Sequence, residues 1–570
     1  MKKTLDILVV GGGGREHAII RKLRESPRCG RLFCTPGNGG ISCDATCYDV
    51  AATDVSGVVA LAKACGADMV FVAPDDPLVA GMVDALEAAG IPAFGPRANA
   101  AILEGSKVFS KNLMKQYAIP TARYEVFEDP AEALRYIRQE NRYPAVVKAD
   151  GLALGKGVLL CADYEEARRA IHDIMEDRVF GASGSRVVVE EFLTGPEVSV
   201  LAFTDGRTVR PMVSSKDHKR AFDGDMGPNT GGMGTISPNP FYTDEQADWC
   251  MEHIFKPTIA AMNAEGRPFK GCLYFGLMLT PDGPKVIEYN CRFGDPETQV
   301  VLPRLKTDFI DILEAVIEER LAELPIEWSE DACACVVMAS GGYPAAYKKG
   351  LVIQGLDEHG QVPGAVVYHA GTKAEDGRFK TNGGRVLGVT ALGEDLEAAI
   401  RFHSYGLVGM LFFCQMLGFK TSLLSGGCTL VVMILPTIIR TTQESLKTVP
   451  QSYREGALGL GASKWHMIRT IVLPSSLDGI VTGCILSVGR IVGESAALLF
   501  TAGVGTVVAS NIFAAFTRSG GSLSVALYMY VSERGEFDVG FAIAAILMVL
   551  VLCVNGAAKL AKNKLSAKKR

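Results

Sequence analysis

A pair of oxygen-bearing side chains near residue 290 is suited to hold a metal ion. Glu288 and Asn290 lie two residues apart in the predicted strand 285–290, so the period of two places them on one face. A carboxylate and an amide oxygen are ligands that a hard cation such as Mg²⁺ prefers. Taken alone, the pair also fits an ordinary exposed strand end.

A glycine-rich segment could contact phosphate groups. Residues 150–157 contain three glycines and one lysine, and they connect the predicted strands 144–148 and 158–161. Such a loop can lay its backbone N–H groups over phosphates, although any hairpin can carry glycines.

A second glycine run lies between an apolar strand at 6–10 and a helix at 15–25. The N-terminus of a helix attracts a phosphate, so the run predicts a phosphate or sugar-phosphate site, or else a purely structural turn. It does not fit the dinucleotide fingerprint, because Glu16 stands where that pattern requires glycine.

These segments need a scaffold, and the first hundred residues predict one. The strand, glycine turn and helix begin a doubly wound α/β layer. A strand at 68–73, a helix at 78–89 and a strand at 91–94 continue it.

Charge and hydropathy divide the chain into two parts. The 570 residues carry a net charge of −5, but residues 1–405 hold −13 and residues 406–570 hold +8. Mean hydropathy is +0.19. This split excludes a single soluble globule and a purely membrane-embedded protein, and the balanced charge argues against a nucleic-acid partner. The 15 scattered cysteines indicate a reducing cytosol, with neither a disulfide framework nor a zinc site.

The second part contains long uncharged segments. Residues 421–439, 479–502 and 540–558 are each close to the length that crosses a bilayer, and 405–419 is shorter. Three or four membrane helices are therefore predicted. Basic residues in 440–476 and 559–570 place both segments in the cytoplasm by the positive-inside rule.

Taken in order, the motifs of residues 1–400 resemble those of one ATP-grasp enzyme family. They are GGGGREHA (11–18), PGNGG (36–40), LEGSKVFSK (103–111), VVKADGLALGKGV (146–158), EEFLTGPEVS (190–199), SKDHKRAFDGDMGPNTGGMG (215–234) and EYNCRFGDPETQ (288–299). The family is phosphoribosylamine–glycine ligase, also called glycinamide ribonucleotide synthetase. The resemblance implies an α/β N-terminal layer (1–103), an α+β ATP-grasp core (104–320, with a lid subdomain at about 120–192) and a small C-terminal domain (330–401).

The same resemblance implies an activity. ATP would phosphorylate glycine to glycyl phosphate, and the amine of 5-phosphoribosylamine would then attack the acyl carbon, giving glycinamide ribonucleotide, ADP and phosphate. A different ATP-grasp ligase is the alternative within this class. The implied location is the cytoplasm.

Site residues follow from the resemblance, motif by motif. The ATP site would comprise Lys107, Lys148 and the lid residues Gly151, Gly155, Lys156 and Gly157. Backbone groups near Glu190 and Leu193 would read adenine, and Glu197 would bind the ribose. Glu288 and Asn290 would bind Mg²⁺ or Mn²⁺. The sugar phosphate would contact Gly11, Gly12, Gly13, Gly14, Asn38 and Gly39.

Three residues are candidates for the chemistry itself. Arg292 would stabilise the transferring phosphoryl group or the acyl phosphate. Asp217 and Asp295 would hold the glycine ammonium, although Asp217 could also be a loop charge. We interpret His17 and His218 as structural or contact residues, since the attacking group is already an amine.

The second part resembles the later half of a phosphate ABC importer permease. The matching segments are 434–465 and 489–503. The resemblance implies an incomplete set of all-α membrane helices over 405–570 in a bacterial plasma membrane. Its cytoplasmic coupling loop would be 441–476, and Glu455 and Gly461 would help residues 455–474 dock on an ATPase subunit. Arg490 and Glu494 form an intramembrane pair that would be either part of an oxyanion path or a structural ion pair.

The two parts meet at 402–406 without a Gly/Ser- or Pro-rich linker. The motif Gly383–Leu387 fits the ligase C-terminal domain, but its closing helix and strand are missing, which would expose an apolar face. We therefore expect an accidental join of two genes. The alternatives are a membrane component of a phosphate transporter, a membrane-tethered ligase and a bifunctional fusion.

Overall fold

A computed structural model provides the coordinates. It describes residues 3–152, 157–222, 224, 226–362, 365–401, 420–459, 462–476, 518–533 and 536–567, with isolated residues between the later ranges. The chain divides into two compact units, Met1–Ala399 and Ile400–Arg570.

The first hundred residues form a five-stranded parallel sheet with the strand order β3-β2-β1-β4-β5. Helices cover it, and its strands are buried on both faces, as in doubly wound layers. Its elements are β1 (Leu5–Gly11), α1 (Gly14–Arg24), β2 (Cys29–Pro36), α2 (Ile41–Asp44), β3 (Thr46–Cys47), α3 (Val55–Cys65), β4 (Met69–Val72), α4 (Asp75–Val79), α5 (Met82–Ala88), β5 (Ala93–Phe94) and α6 (Ala98–Gly105).

One predicted helix is divided in two. The sequence predicts a helix over 78–89, but Gly81 has a φ of +83° and separates α4 from α5. Glycine adopts this left-handed conformation without the steric cost that a Cβ would impose.

A four-stranded antiparallel sheet, β6-β9-β7-β8, follows with helices on one face. Ala133, Ile137, Val147, Ala167 and Val189 form the core between this sheet and its helices. The elements are α7 (Lys107–Gln116), β6 (Tyr124–Phe127), α8 (Pro130–Glu140), β7 (Ala145–Ala149), β8 (Val158–Cys161), α9 (Tyr164–Ile171) and β9 (Val187–Glu191).

A second four-stranded antiparallel sheet has the order β11-β10-β16-β17 and packs against the N-terminal layer. The elements from here to the last helix before the C-terminal region are β10 (Glu197–Asp205), β11 (Val209–Pro211), β12 (Lys216–Asp217), β13 (Arg220–Phe222), β14 (Met226–Asn229), β15 (Gly234–Ser237), α10 (Asp244–Cys250), α11 (Lys256–Ala264), β16 (Lys270–Thr280), β17 (Gly283–Asn290), α12 (Thr298–Val301) and α13 (Phe309–Ile317).

The C-terminal region of the first unit does not build its sheet alone. The sheet order β12-β15-β18-β22-β19 includes β12 and β15, which come from the preceding segment, and Thr235 on β15 pairs with Cys335 on β18. The remaining elements are β18 (Ala332–Ala339), β19 (Val366–His369), β20 (Thr372–Glu375), β21 (Arg378–Thr381), β22 (Arg385–Gly393) and α14 (Leu396–Arg401).

The second unit is helical wherever the structure describes an element. Its helices are α15 (Leu423–Lys447), α16 (Gln451–Gly459), α17 (Lys464–Met467), α18 (Leu523–Tyr528) and α19 (Phe537–Ala567). In the described part, only α15 is both long and apolar enough to cross a membrane, and the apolar portion of α19 is the shorter Phe537–Cys553. The predicted spans at 405–419 and 479–502 lie mainly outside the described residues, so the predicted number of spans stays a prediction.

Candidate active site

Two lysines and a glutamate form a buried ionic triad on one face of the sheet β6-β9-β7-β8, which we call the lid sheet. Lys148 on β7 and Glu190 on β9 face the same side, with Nζ 3.0 Å from Oε1. Lys111 on α7 approaches the other oxygen of Glu190 at 2.9 Å. Burial raises the pKa of Glu190, but the two lysines more than offset this and leave it lowered. Burial lowers the pKa of Lys111 to about 8.

The second predicted phosphate lysine lies beside the glycine-rich loop. Lys107 Nζ donates to the carbonyl of Gly151 at 2.7 Å. Ser106 caps α7 by accepting from the Phe109 N–H, and its hydroxyl donates to Asp150. These hydrogen bonds connect the start of α7 to the start of the glycine-rich loop.

The far end of the loop is held to β7, because Ala149 N–H donates to the carbonyl of Gly157. Gly155 and Lys156 lie outside the described residues. Leu193 is half-buried just after β9.

The candidate metal ligands lie near the end of β17. The register pairs Gly276 with Glu288 and Tyr274 with Asn290. Burial raises the pKa of Glu288, but Lys219, Lys148 and Lys107 more than offset this effect and leave the pKa lowered. The ionised carboxylate and the neighbouring amide oxygen form a hard-oxygen donor set that fits Mg²⁺.

Asp217 lies among other carboxyl groups. Burial raises its pKa, and the carboxylates of Glu197 and Glu288 add to the effect, while Lys219 opposes it. Lys219 Nζ donates to Glu197 at 3.2 Å. This surplus of acidic groups favours a cationic ligand.

Glu297 adds a further buried carboxyl group to the same cluster. Burial, with a contribution from Asp217, raises the pKa of Glu297 to about 7. Its Oε1 accepts from the Ser199 hydroxyl at 3.3 Å, and Ser199 also bonds to the Tyr274 hydroxyl at 2.8 Å.

Arg292 is held by its own neighbours. Its Nη2 donates to Asn290 Oδ1 at 3.3 Å and lies 3.3 Å from Glu104 Oε1. Phe293 anchors the same loop, with its ring 6.0 Å from the rings of both Phe71 and Phe203.

Asp295 has a different environment from Asp217. Gln299 donates to its Oδ1 at 2.7 Å, and Arg385 approaches its Oδ2 at 3.2 Å. Burial raises its pKa, but Arg385 and Arg15 more than offset this and leave it lowered. A Cβ at Gly13 or Gly14 would lie within 4 Å of this carboxylate, so Asp295 borders the first glycine run.

The first glycine run is already hydrogen-bonded within the chain. Glu16 folds back, and its Oε2 accepts from the Gly13 N–H at 2.6 Å. Gly12 packs closely against Gly37, where a Cβ would meet the carbonyl oxygen at 2.5 Å. The carboxylate of Glu16 therefore occupies part of the positive end of α1.

Asn38 and Gly39 join the N-terminal layer to the C-terminal region. The Asn38 amide donates to the carbonyls of Gly12 and His369, and its oxygen accepts from Gly40 N–H and Ile41 N–H. Gly39 N–H donates to the Thr372 carbonyl. Because these groups are engaged, neither the Asn38 side chain nor the Gly39 N–H is available to a ligand in this conformation.

Family models match this part of the chain along its length. Residues 5–104 match the N domain of phosphoribosylglycinamide synthetase, residues 105–298 its ATP-grasp (A) domain, and residues 333–411 its C domain.

Over 395 residues the chain is 48% identical to a phosphoribosylamine–glycine ligase from Caldanaerobacter subterraneus subsp. tengcongensis. The alignment covers 69% of this chain and 94% of that protein. This chain belongs to the phosphoribosylamine–glycine ligase family. A second phosphoribosylamine–glycine ligase, from Rhodopirellula baltica, is 49% identical over 400 residues. That alignment covers 69% of this chain and 92% of the Rhodopirellula protein.

Solved structures agree with the ligase family. A phosphoribosylamine–glycine ligase from Thermotoga maritima is 34% identical, with a TM-score of 0.62, covering 70% of this chain and 95% of that chain. The biotin carboxylase domain of Hydrogenobacter thermophilus 2-oxoglutarate carboxylase, solved with MgADP, shares the fold at 17% identity and a TM-score of 0.55, over 71% of this chain and 90% of that chain. The predicted ATP-grasp fold is confirmed.

Residues 402–565 match a different model, the binding-protein-dependent transport system inner membrane component. The predicted permease domain is thus present after the ligase family's domains. Glu455 lies exposed on α16, whereas Gly461, Arg490 and Glu494 lie outside the described residues.

Four residues of the ligase site were not predicted from the sequence. They are Lys111, Lys219, Glu297 and Arg385. The first three lie within motifs that carry the resemblance, so a search for paired charges inside those motifs could have found them. Arg385 lies far along the chain, and only the fold brings it to Asp295.

Proposed function

We propose that residues 1–400 join glycine to 5-phosphoribosylamine at the expense of ATP, giving glycinamide ribonucleotide, ADP and phosphate. The observation that carries this proposal is the 48% identity to a phosphoribosylamine–glycine ligase over 94% of that protein. The arrangement of Lys107, Lys148 and Glu288 around one site supports it.

Phosphoryl transfer needs positioning and charge neutralisation more than covalent help from the protein. Lys107 and Lys148 neutralise the ATP phosphates. Glu288 and Asn290 would hold Mg²⁺ or Mn²⁺, which supplies further positive charge at the phosphates when bound. A glycine carboxylate oxygen attacks the γ-phosphorus, and the bond to the ADP oxygen breaks.

Adenine recognition is assigned to backbone groups near Glu190 and Leu193, and Glu197 takes the ribose hydroxyls. Glu190 is already neutralised by two lysines, so we propose that it acts mainly by holding Lys148 in place. The loop 150–157 excludes water that would hydrolyse the acyl phosphate.

The second step joins the two substrates. Asp217 holds the glycine ammonium, because its surroundings are acidic. The sugar amine attacks the acyl carbon, phosphate leaves, and the nitrogen releases a proton. Arg292 neutralises the departing phosphate.

Asp295 is our second candidate for the glycine ammonium, although its position beside Gly13 and Gly14 brings it nearer to the sugar side. The sugar phosphate is assigned to the Gly11–Gly14 run, and the Asn38 side chain and the Gly39 N–H can join it only after they release their present partners, Gly12, His369 and Thr372. The Glu16 carboxylate already accepts a hydrogen bond from the Gly13 N–H. A phosphate can therefore bind to this glycine run only if Glu16 turns away, or if a neighbouring N–H donates to the phosphate instead.

The test uses the full chain in detergent. We expect ADP release that requires both glycine and 5-phosphoribosylamine, and Glu288→Gln should reduce it by at least about 100-fold. Glu358→Gln is the matched control, because Glu358 is 88% exposed. Release that does not need glycine would assign a different ATP-grasp ligase, and an unaffected Glu288→Gln would refute the metal assignment.

A second function concerns the permease domain. We propose that residues 455–474 dock on the ATPase subunit of an ABC importer and that the tail lies in the plasma membrane. Two exposed aromatic rings support a docking role: Tyr453 just before this segment and Trp465 within it. Scrambling 455–474 should abolish co-purification with that subunit in detergent, and its persistence would contradict the proposal.

The join itself has a direct test. The ligase C-domain match ends at 411, and the permease match begins at 402. We propose an accidental join, which is an assembly error, a frameshift or deletion fusion, or a recombination scar. For an assembly error, no single DNA molecule from the source would encode residues 395–415 continuously. A continuous molecule would instead favour a membrane-tethered or bifunctional protein.

A further inference from the structure

Two side chains of the C-terminal region hold the backbone of one residue, Gly231, near the candidate active site. The Tyr343 hydroxyl accepts from the Gly231 N–H at 3.1 Å, and Arg385 Nη1 donates to the Gly231 carbonyl at 2.6 Å. Gly231 belongs to the loop between β14 and β15, which follows the segment that carries Asp217 and Lys219. That loop is therefore held from outside its own segment.

The same arginine holds a second loop. Arg385 Nη1 also donates to the Asp295 carbonyl at 2.8 Å, and Nη2 lies 3.2 Å from Asp295 Oδ2. A planar guanidinium can serve several acceptors in a fixed geometry, which a lysine ammonium cannot reproduce.

The two loops also touch each other at this point. A Cβ at Gly232 would lie 2.5 Å from Pro296 Cδ and 3.7 Å from Arg385 Nη1. A Cβ at Gly231 would lie 3.0 Å from Arg385 Cζ. Gly232 also has a φ of +107°, so this position favours glycine both for its backbone conformation and for the close approach of Pro296.

We propose that Arg385 and Tyr343 are positioning residues of the ligase, which set the geometry of Gly231 and Asp295 from the C-terminal region. This inference rests on the proposed function. It gives the C-terminal region a direct part in the alignment of the substrates, since a small misplacement of reacting groups lowers the rate strongly.

We call the contacts of Arg385 and Tyr343 with Gly231 and Asp295 the clamp. Asp295 is the titratable group that the clamp controls. It is faced by Arg385 from β22, Arg15 from α1, Arg292 from its own loop and the Cys335 thiol from β18. Loss of Arg385 removes one of the cations that lower the pKa of Asp295, so the acidic limb of the activity profile should move to higher pH.

The experiment compares Arg385→Ala, Arg385→Lys and Tyr343→Phe in the full chain with Arg378→Ala, which changes an exposed arginine on β21. We expect Arg385→Ala to lower kcat/KM for glycine and for 5-phosphoribosylamine by about 100-fold, with little change in the KM for ATP. Arg385→Lys should recover only part of this loss, and Arg378→Ala should match the unaltered chain.

Hydrogen exchange provides a readout that needs no activity. Amides of 230–234 and 293–297 should exchange faster in Arg385→Ala, while Arg378→Ala leaves them unchanged. Unchanged exchange, or a variant that loses only thermal stability and keeps both kcat/KM values, overturns the clamp. An unaltered chain without ADP release refutes the proposed function instead, and hydrogen exchange then still decides whether the clamp exists.

Discussion

The carboxylate of Glu190 lies 3.0 Å from the Nζ of Lys148, and both side chains are almost fully buried. Lys111 completes the group from the opposite side. Two positive charges therefore share one negative charge inside the protein, and the surplus positive charge lies on the face of the lid sheet that carries Lys148. This face therefore already carries the positive charge that would attract a polyphosphate.

Removal of the negative charge of Glu190 should therefore lower the free energy of unfolding strongly. Glu190→Gln leaves two buried cations without their anion, and we expect a loss of about 3–5 kcal/mol in the free energy of unfolding. The neighbouring Glu191→Gln is the control, because Glu191 pairs with a largely exposed Arg123 and should cost no more than about 1 kcal/mol. Thermal and denaturant unfolding of the two variants measures the difference, and equal losses would contradict the interpretation.

Stability should also fall in acid because of a buried histidine. The neutral His369 ring donates from Nε2 to the Gly360 carbonyl and accepts at Nδ1 from the Thr372 hydroxyl, and burial lowers its pKa from 6.5 to about 4. The folded chain therefore binds fewer protons than the unfolded chain between these values. About 3 kcal/mol should be lost as the pH falls from 6.5 to 4.

His369→Asn isolates this contribution. The variant should be less stable at pH 7, but the difference in unfolding free energy between it and the unaltered chain should shrink as the pH falls to 4. A constant difference across that range would show that His369 does not carry the effect.

The contact between the N-terminal layer and the β20–β21 hairpin tolerates no added methyl group. A Cβ at Gly39 would lie 2.6 Å from the backbone nitrogen of Ala374. We expect Gly39→Ala to destabilise the first unit by about 1–3 kcal/mol, because backbone must move to relieve the overlap. Gly341→Ala is the control, since a Cβ there has open space, and both changes can be compared by thermal unfolding.

An exposed tryptophan offers a test of the permease domain. Trp465 on α17 is 71% exposed, and burial at an interface would make it a strong anchor. Trp465→Ala should weaken co-purification with an importer ATPase subunit by at least about tenfold. Phe541→Ala, at a 74% exposed site on α19, should leave it unchanged. Equal retention in both variants would place the docking surface elsewhere.

Local secondary structure was predicted well from the sequence. The strand, glycine turn and helix at the N-terminus and the strand that carries Glu288 and Asn290 follow from period and composition, and the structure contains all of them. These features depend on residues close together in the chain, where steric and hydrophobic preferences act directly.

Features that depend on distant pairing were not predicted. Nothing near Arg385 indicates that it reaches Asp295, and nothing near Thr235 indicates a partner at Cys335. The folded-back Glu16 is a related case. The sequence indicated a helix N-terminus with free N–H groups, but not that the Glu16 side chain would accept from the Gly13 N–H. Such contacts are set by the packing of whole elements.

The shared sheet β12-β15-β18-β22-β19 also has a consequence for the order of synthesis. Residues 216–237 leave the ribosome well before β18 and β22 exist, so β15 waits without its partner while the rest of the ATP-grasp core can already fold. The loop that carries Gly231 is then unsecured until Arg385 has been made. In this chain the first apolar segments of the tail are translated directly afterwards, so Arg385 and those segments leave the ribosome in close succession.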